Sequence, residues 1–582
     1  MEAPPVRSSL GDDEHGRQSV VAAWGYNYYR QVSPAHEEQF LRQPVLVWAS
    51  AVGDAGSSAG AANAEAESPT ELTPVQVAAG GHFSAVLTAT GRVFTWGVEF
   101  DQVSSCVSER LFPGRVQIVQ IAAGKKHSAA LSRDGQVFTW GCGFFGRLGH
   151  GSEERVTEPR RVEYLWKATR GLNPDGENVR GSVFQVACGG SHTGALLSDG
   201  SVFFWGFNRY YQCGRGHGAG DLLLPQRFDT KPLDSNECIA SLYCGRQHSM
   251  LLTESGRVYA WGLATFGRLG HRNNGAGARS VSYPRKVDAF TGDSAETSVF
   301  KLALGATHTL ALTCSGHVFA WGRNEVGQLG IGGHVEVQRT PVMVKLPHDI
   351  IVSDVQAAST HSLAIAAPRR GMAPATIANL DRNATIYAWG IGFGGGGSSP
   401  SSGFDTEDVW DRPQQVEQLW ATAAGCQTHA TGAALGDAHA LFILEMDSAS
   451  DAAIAATNTA PHPPRSESKL ESCKDRLFAL CTKGRLPSLH AELEEHPEMI
   501  NAQDANGQTL LMRAAGQGRC AIVEMLLRFP GCAIDAQDAA GNTALHLAFA
   551  ANALDVFELL RTYGADDTLS NCDGQLAYHG VS

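Results

Sequence analysis

Six histidines recur in one register, and histidine is the side chain most readily turned to metal ligation or proton transfer. They are His127, His192, His248, His308, His361 and His439. A glycine stands three residues before Phe83, His127, His192, His248 and His308: Gly80, Gly124, Gly189, Gly245 and Gly305. A metal site would need several imidazoles to converge within about 2–2.6 Å of one ion. One histidine per repeat argues against convergence, and each imidazole is expected to bond backbone within its own repeat. The remaining chemistry is sparse. There is no phosphate-binding Gly-x-x-x-x-Gly-Lys-Ser/Thr, no His-Glu-x-x-His and no Gly-x-Ser-x-Gly. The glycine-rich segments at Gly146, Gly267 and Gly327 follow apolar runs and read as turns. Thirteen cysteines are scattered without Cys-x-x-Cys spacing, which reads as reduced thiols and no structural zinc. We expect no catalytic residue, no metal and no cofactor.

The elements that carry the histidines are legible. Trp-Gly occurs at Trp24, Trp96, Trp140, Trp205, Trp261, Trp321 and Trp389. Five of these tryptophans lie 13 residues after Phe83, His127, His192, His248 and His308, and 5 residues after Gly91, Gly135, Gly200, Gly256 and Gly316. The clearest copy reads VQIAAGKKHSAALSRDGQVFTWG. Short apolar runs flank a tight glycine turn, and an alternating run then ends in Trp-Gly, which is a β-meander. A fourth strand is expected at Pro159–Val162, Pro284–Val287 and Pro341–Val344. Seven copies of four strands predict a seven-bladed β-propeller, and 65 glycines suit its many turns. Both ends hold half a repeat, so one blade should be shared. His439 and its neighbours would give its inner strands, and residues ~19–26 and ~44–50 its outer ones, which would leave no open edge.

These residues resemble the regulator of chromosome condensation family of seven-bladed propellers. The resemblance covers roughly 18–446 and rests on GKKHSAALSRDGQVFTWGCGFFGRLGHG and AWGRNEVGQLGIGG. Phe83 for histidine, and Ala358 and Ala384 for glycine, are departures from its pattern. The resemblance implies a protein-binding propeller, and in some members nucleotide exchange on a Ran-type GTPase. Two insertions, Glu163–Ser182 and Ala367–Ala384, could protrude for such a purpose, but neither carries a matching wedge motif. The Gly-Trp-Arg-His-Thr pattern of a light-sensing propeller of this kind is absent. Chromatin-binding members carry a basic tail. Here residues 1–18 set Arg7 and Arg17 against Glu2, Asp12, Asp13 and Glu14.

Past residue 446 the chain changes character. An Ala/Ser/Pro-rich stretch over 447–468 reads as a linker and 1–17 as a tail. Over 469–582 two segments align at a spacing of 34, pairing Asp504 with Asp538, Gly507 with Gly541 and Thr509 with Thr543. This is similar to the ankyrin repeat, an all-α stack in which Thr509 and Thr543 should cap helices.

Net charge is −13, from 46 basic and 59 acidic residues, so general nucleic-acid binding is not expected. There is no apolar run of about 18 residues and no secretory leader pattern, so a cytoplasmic, or nuclear, protein is expected. The reading is therefore an interaction scaffold. A small-GTPase exchange factor and a substrate receptor for a ubiquitin ligase are the alternatives. Candidate binding residues are Lys125, Lys126, Arg246 and Gln247 in the Gly-x-x-His intervals, and Asp504, Asn506 and Asp538 at the helical turn tips.

Overall fold

The computed structural model describes residues 18–26, 40–49, 72–98, 103–114, 116–171, 181–216, 220–230, 233, 237–272, 279–333, 335–348, 350–368, 385–391, 409–416, 428–437, 439–446, 473–483, 489, 492–493, 497–504, 506–529, 532–572 and 574–577. The expected tail, linker and the greater part of the two insertions lie outside these residues. The chain divides into a strand-built unit and a helical unit.

Seven four-stranded antiparallel sheets make up the first unit. We letter their strands a to d. In blade 2 these are Ile118–Ala123, His127–Ser132, Val137–Gly141 and Val156–Arg161. Blade 1 spans 74–110, and blades 3 to 6 span 183–227, 239–286, 299–343 and 350–415. In blade 7, Thr428–Leu435 and His439–Met446 are strands a and b, and Gln18–Tyr26 and Phe40–Ala49 are c and d. The two ends of this unit thus pair in one sheet. Its closing register runs unbroken from Gln18 opposite Met446 to Gly25 opposite His439. The turn glycines Gly91, Gly135, Gly200, Gly256 and Gly316 all have positive φ, as the tight b–c hairpin requires.

Strand a lines the central channel. Here neighbouring blades trade side-chain amide for backbone bonds. Gln76 donates to and accepts from Ile121, Gln120 does so with Val186, and Gln185 with Leu242, at 2.8–3.2 Å. Between blades 5 and 6 the Lys301–Asp354 ion pair takes over this level. Strand b is buried along its whole length, and the cores lie between blades. The tryptophans Trp96, Trp140, Trp205, Trp261, Trp321 and Trp389 are at most 1 % exposed and anchor these cores. The d-to-a connection of blade 2 carries one short helix, Glu163–Ala168, inside the first insertion.

The helical unit holds helix–turn–helix repeats. Leu510–Gly516 precedes Cys520–Arg528, and Ala544–Ala550 precedes Leu554–Thr562. Thr509 caps the first by accepting from the Met512 amide at 3.3 Å, and Thr543 forms a capping box with His546. Their buried alanines, Ala514, Ala515 and Ala548, face the interior of the stack.

Candidate functional site

The a–b and c–d loops lie at one end of the propeller, which we call the loop face. The two sets are tied by bonds such as Cys142 N–H to the Lys126 carbonyl at 2.8 Å. Its centre is a well lined by all seven a–b loops, from Ala79–Gly81 round to Leu435–Asp437.

The repeat histidines sit beneath this well, and their bonding corrects the expectation of partners within their own blade. Five of the six reach a hydroxyl of the next blade, and His361 instead faces a blade with Ala440 in that place. Nε2 of His127 lies 2.9 Å from Thr193 Oγ1, and that of His192 lies 2.8 Å from Ser249 Oγ. His248 meets Thr309 at 3.4 Å, His308 meets Ser362 at 2.8 Å, and His439 meets Ser84 at 3.0 Å. The hydroxyl in turn donates to a carbonyl in the c–d loop of the histidine's own blade: Thr193 to Arg147 at 2.8 Å, Ser249 to Gln212 at 2.8 Å, Thr309 to Arg268 at 3.0 Å and Ser362 to Gln328 at 2.8 Å. The indole N–H groups of Trp261, Trp321 and Trp389 join the last three of these carbonyls at 2.9–3.0 Å.

This arrangement fixes the imidazole state. A hydroxyl has one proton, and in these four joints it is spent on the carbonyl, so Nε2 must carry the ring proton. Nδ1 of His127, His192, His248 and His308 is then a buried bare lone pair without a partner, and Nδ1 of His439 is likewise buried without one. The preceding glycine is explained by the same ring: a Cβ on Gly124 would stand 2.5 Å from His127 Nδ1. Burial pushes His192, His308 and His439 down to about 3 and His361 to about 4, and holds His127 and His248 well below the usual value. Neutral imidazoles bound to hydroxyls are joints of the ring. No cluster of His, Cys, Asp or Glu among the described residues could hold a metal ion.

Above the joints, the position after each repeat glycine, or after Ala358 in blade 6, varies round the ring: Gly81, Lys125, Gly190, Arg246, Ala306, Ser359 and Asp437. Lys125 Nζ lies 3.3 Å from Asp437 Oδ2, and Ser359 Oγ donates to the other oxygen of that carboxylate. The stems of Lys125 and Arg246 lean over glycine. A Cβ on Gly81 would come 2.9 Å from Lys125 Cγ, and one on Gly190 would come 3.0 Å from Arg246 Cγ. Lys125, Lys126, Arg246 and Gln247 are therefore brought to one face. Gln247 is 3 % exposed and sits below the surface.

The fold also exposes what the sequence reading passed over. Arg147 and Arg268, the arginines of the two Gly-Arg-Leu-Gly loops, are buried at 1–2 % exposure. Arg147 donates to the Phe144 carbonyl at 3.0 Å and reaches the Gly190 carbonyl of blade 3 at 3.5 Å. Arg268 donates to the Thr265 carbonyl, Thr265 Oγ1 and the Ala306 carbonyl of blade 5, at 2.7–3.1 Å.

In the helical unit, Asp504 and Asp538 are turn-formers. Asp504 Oδ1 accepts from the Asn506 and Gln508 amides at 2.8 and 3.0 Å, and Asp538 Oδ1 from those of Ala540 and Asn542 at 3.0 and 2.8 Å. Arg513 pairs with Asp504. Successive tips are linked by Ala539 N–H to the Asn506 carbonyl at 3.2 Å. Asn506 is exposed.

The model of the RCC1-like domain matches residues 45–442, and that of ankyrin repeats, in three copies, matches 477–571. The chain belongs to the RCC1-like domain family. Its propeller is the family's domain, and the ankyrin repeats follow it. The human E3 ubiquitin-protein ligase HERC2 is 32 % identical over 300 residues, covering 50 % of this chain and 6 % of HERC2. The ultraviolet-B receptor UVR8 of Arabidopsis thaliana is 29 % identical over 250 residues, covering 43 % of this chain and 48 % of the receptor. This chain therefore spans less than half of either relative. Among solved structures, Prp20p of Saccharomyces cerevisiae has a TM-score of 0.55 at 19 % identity, covering 76 % of this chain and 94 % of that one, which is a likeness of fold.

Proposed function

We propose that this RCC1-like protein is a non-enzymatic interaction scaffold. Its loop face docks one protein, and the turn tips at Asp504, Asn506 and Asp538 dock another. The carrying observation is a division of labour within the repeat. The histidine, hydroxyl, carbonyl and indole are consumed in holding blade to blade, while the position after the glycine varies and faces the well. A surface of side chains on a fixed ring suits recognition. The experiment is site-specific photo-crosslinking from position 209 on the loop face and from position 506, with the captured proteins identified and rebuilt as purified pairs. Capture of the same single partner from both positions would remove the two-ended scaffold. Nucleotide release from a Ran-type or Rab-type GTPase, accelerated by catalytic amounts of the chain, would replace the scaffold with an exchange factor. Co-purification with ligase subunits would direct the reading to a substrate receptor.

A further inference from the structure

Two joints of the ring are built from the same parts and finished differently. In blade 2, Phe145 adopts a φ of 62°, a left-handed conformation that a bulky side chain rarely takes. Its ring is 4 % exposed and packs on Phe207 of blade 3, with centroids 4.9 Å apart, while the guanidinium of Arg147 lies 5.8 Å from it. In blade 4, Phe266 repeats the conformation with a φ of 60°, and Arg268 again lies 5.8 Å from the ring. The residue of blade 5 in the place of Phe207 is Arg323, whose guanidinium sits 4.7 Å from the Phe266 centroid. Phe266 is consequently 37 % exposed.

The substitution of an arginine for a phenylalanine gathers charge. Arg268 is buried, its three hydrogen bonds go to neutral oxygens, and no carboxylate among the described residues touches it. Two of the five N–H groups of its fork have no acceptor among the described residues. Burial, then Arg246, then Arg323 push it down to about 9. Arg323 shares its charge with the nearby Glu325. A buried cation without a counter-ion, crowded by two others, is costly to a fold and is an arrangement that an arriving anion relieves. It occurs in a chain with a net charge of −13.

We propose that Arg246, Arg323 and the exposed ring of Phe266, set over the buried charge of Arg268, form a docking site for an acidic segment of a partner protein, in which Asp or Glu carboxylates meet the part-exposed guanidiniums of Arg246 and Arg323 and an adjoining apolar side chain covers the ring. The fork geometry of arginine suits carboxylates. A nucleic acid would bring a long run of charge against the acidic remainder of the molecule, whereas a short acidic segment needs only one or two pairs. The inference rests on the loop face being a docking surface.

The test uses the full chain and two labelled synthetic peptides. One alternates Asp and Glu with Leu and Phe, and the other has Asn and Gln in place of the acids. Anisotropy should show the acidic peptide binding at least tenfold more tightly. Arg323→Phe, which copies the closed joint of blades 2 and 3, and Arg246→Ala should each weaken it at least tenfold. Arg133→Ala, at the opposite end of blade 2, should leave it unchanged. An unaltered thermal melt shows that each variant is folded. Failure of the acidic peptide to bind, binding indifferent to Arg323→Phe, or tighter binding of a single-stranded oligonucleotide or of the matching phosphopeptide would overturn the inference. If crosslinking from position 209 captures the same partner with Arg323→Phe as with the parent chain, the docking surface stands and the acidic-segment inference falls.

Discussion

Acid should unlock the ring, and the size of the effect follows from the joints. Six neutral imidazoles are buried, five of them with Nδ1 against the glycine three residues before. Five of these nitrogens have no partner. Protonation would place a charged N–H in a buried site that offers it no acceptor. Four of the six titrate in the fold only at about 3 or about 4, and the other two lie well below the ordinary value. In the unfolded chain each titrates near 6.5. The unfolded chain thus binds more protons, so stability is full above about pH 6.5 and falls as the pH drops towards 3. At about pH 5.5 an unfolded imidazole is roughly nine-tenths protonated, and each buried imidazole costs about 1.2 kcal/mol relative to about pH 7. Six together cost about 7 kcal/mol, comparable with the whole stability of many domains. His150, pushed down to about 4, adds a further loss of the same sign. Urea unfolding between about pH 7 and 5.5 should show a steep fall in midpoint at constant slope. Calorimetry in buffers of different ionisation enthalpy should show about five protons taken up on unfolding at about pH 5.5. Uptake below about two protons, or a flat midpoint, would refute the neutral-joint argument.

Other perturbations separate the parts. Ser362→Ala strands the His308 Nε2–H and removes a donor from the Gln328 carbonyl, and should cost about 1–3 kcal/mol in urea unfolding. Ser128→Ala, whose opposing ring is Phe83, should change stability by less than about 0.5 kcal/mol. Gly189→Ala would put a Cβ 2.5 Å from the Gly245 carbonyl oxygen and 2.6 Å from His192 Nδ1, and should cost more than about 2 kcal/mol. Gly200→Ala, at a φ of 81° with open space around it, should cost only about 1 kcal/mol, all of it in the backbone. Thr509→Ala should remove about 1 kcal/mol from the helix it caps, seen as faster hydrogen exchange over Leu510–Gly516.

Seven blades and the ankyrin turns were legible because each is encoded within one repeat. Gly135 turns its own hairpin, and Thr543 caps its own helix. The role of the histidines was not, because the partner lies in the next repeat. His127 and Thr193 are 66 residues apart, and His192 and Ser249 are 57 apart, so no fixed spacing announces the bond. One signal was available. Ser84, Ser128, Thr193, Ser249, Thr309 and Ser362 each follow the repeat Phe or His directly, and only blade 7 departs, with Ala440. A hydroxyl in that register, on a fully buried strand, asks for a partner. Of the candidate site, Lys125 and Arg246 could be read from their intervals. The buried Arg268 could not, because Gly-Arg-Leu-Gly reads as a turn until its side chain is seen to reach Ala306 of the next blade.

The same logic says where the ring can acquire a binding specificity. A residue in the joint network cannot change alone, since its bonds run to two other groups in two blades. The residue after the repeat glycine can change, but in pairs. Arg246 occupies its place because Gly190, one blade earlier, leaves room for Cγ, and Lys125 occupies its place because Gly81 does. A glycine in one blade and a cation in the next are therefore a single unit of the surface, and a side chain added at Gly190 would evict Arg246 without touching its charge. Asp437, held by both Lys125 and Ser359, ties a third position into the set. The loop face is a short sequence of seven residues written across 357 positions of chain, and its meaning lies in which neighbours are small enough to let a charged one lie down.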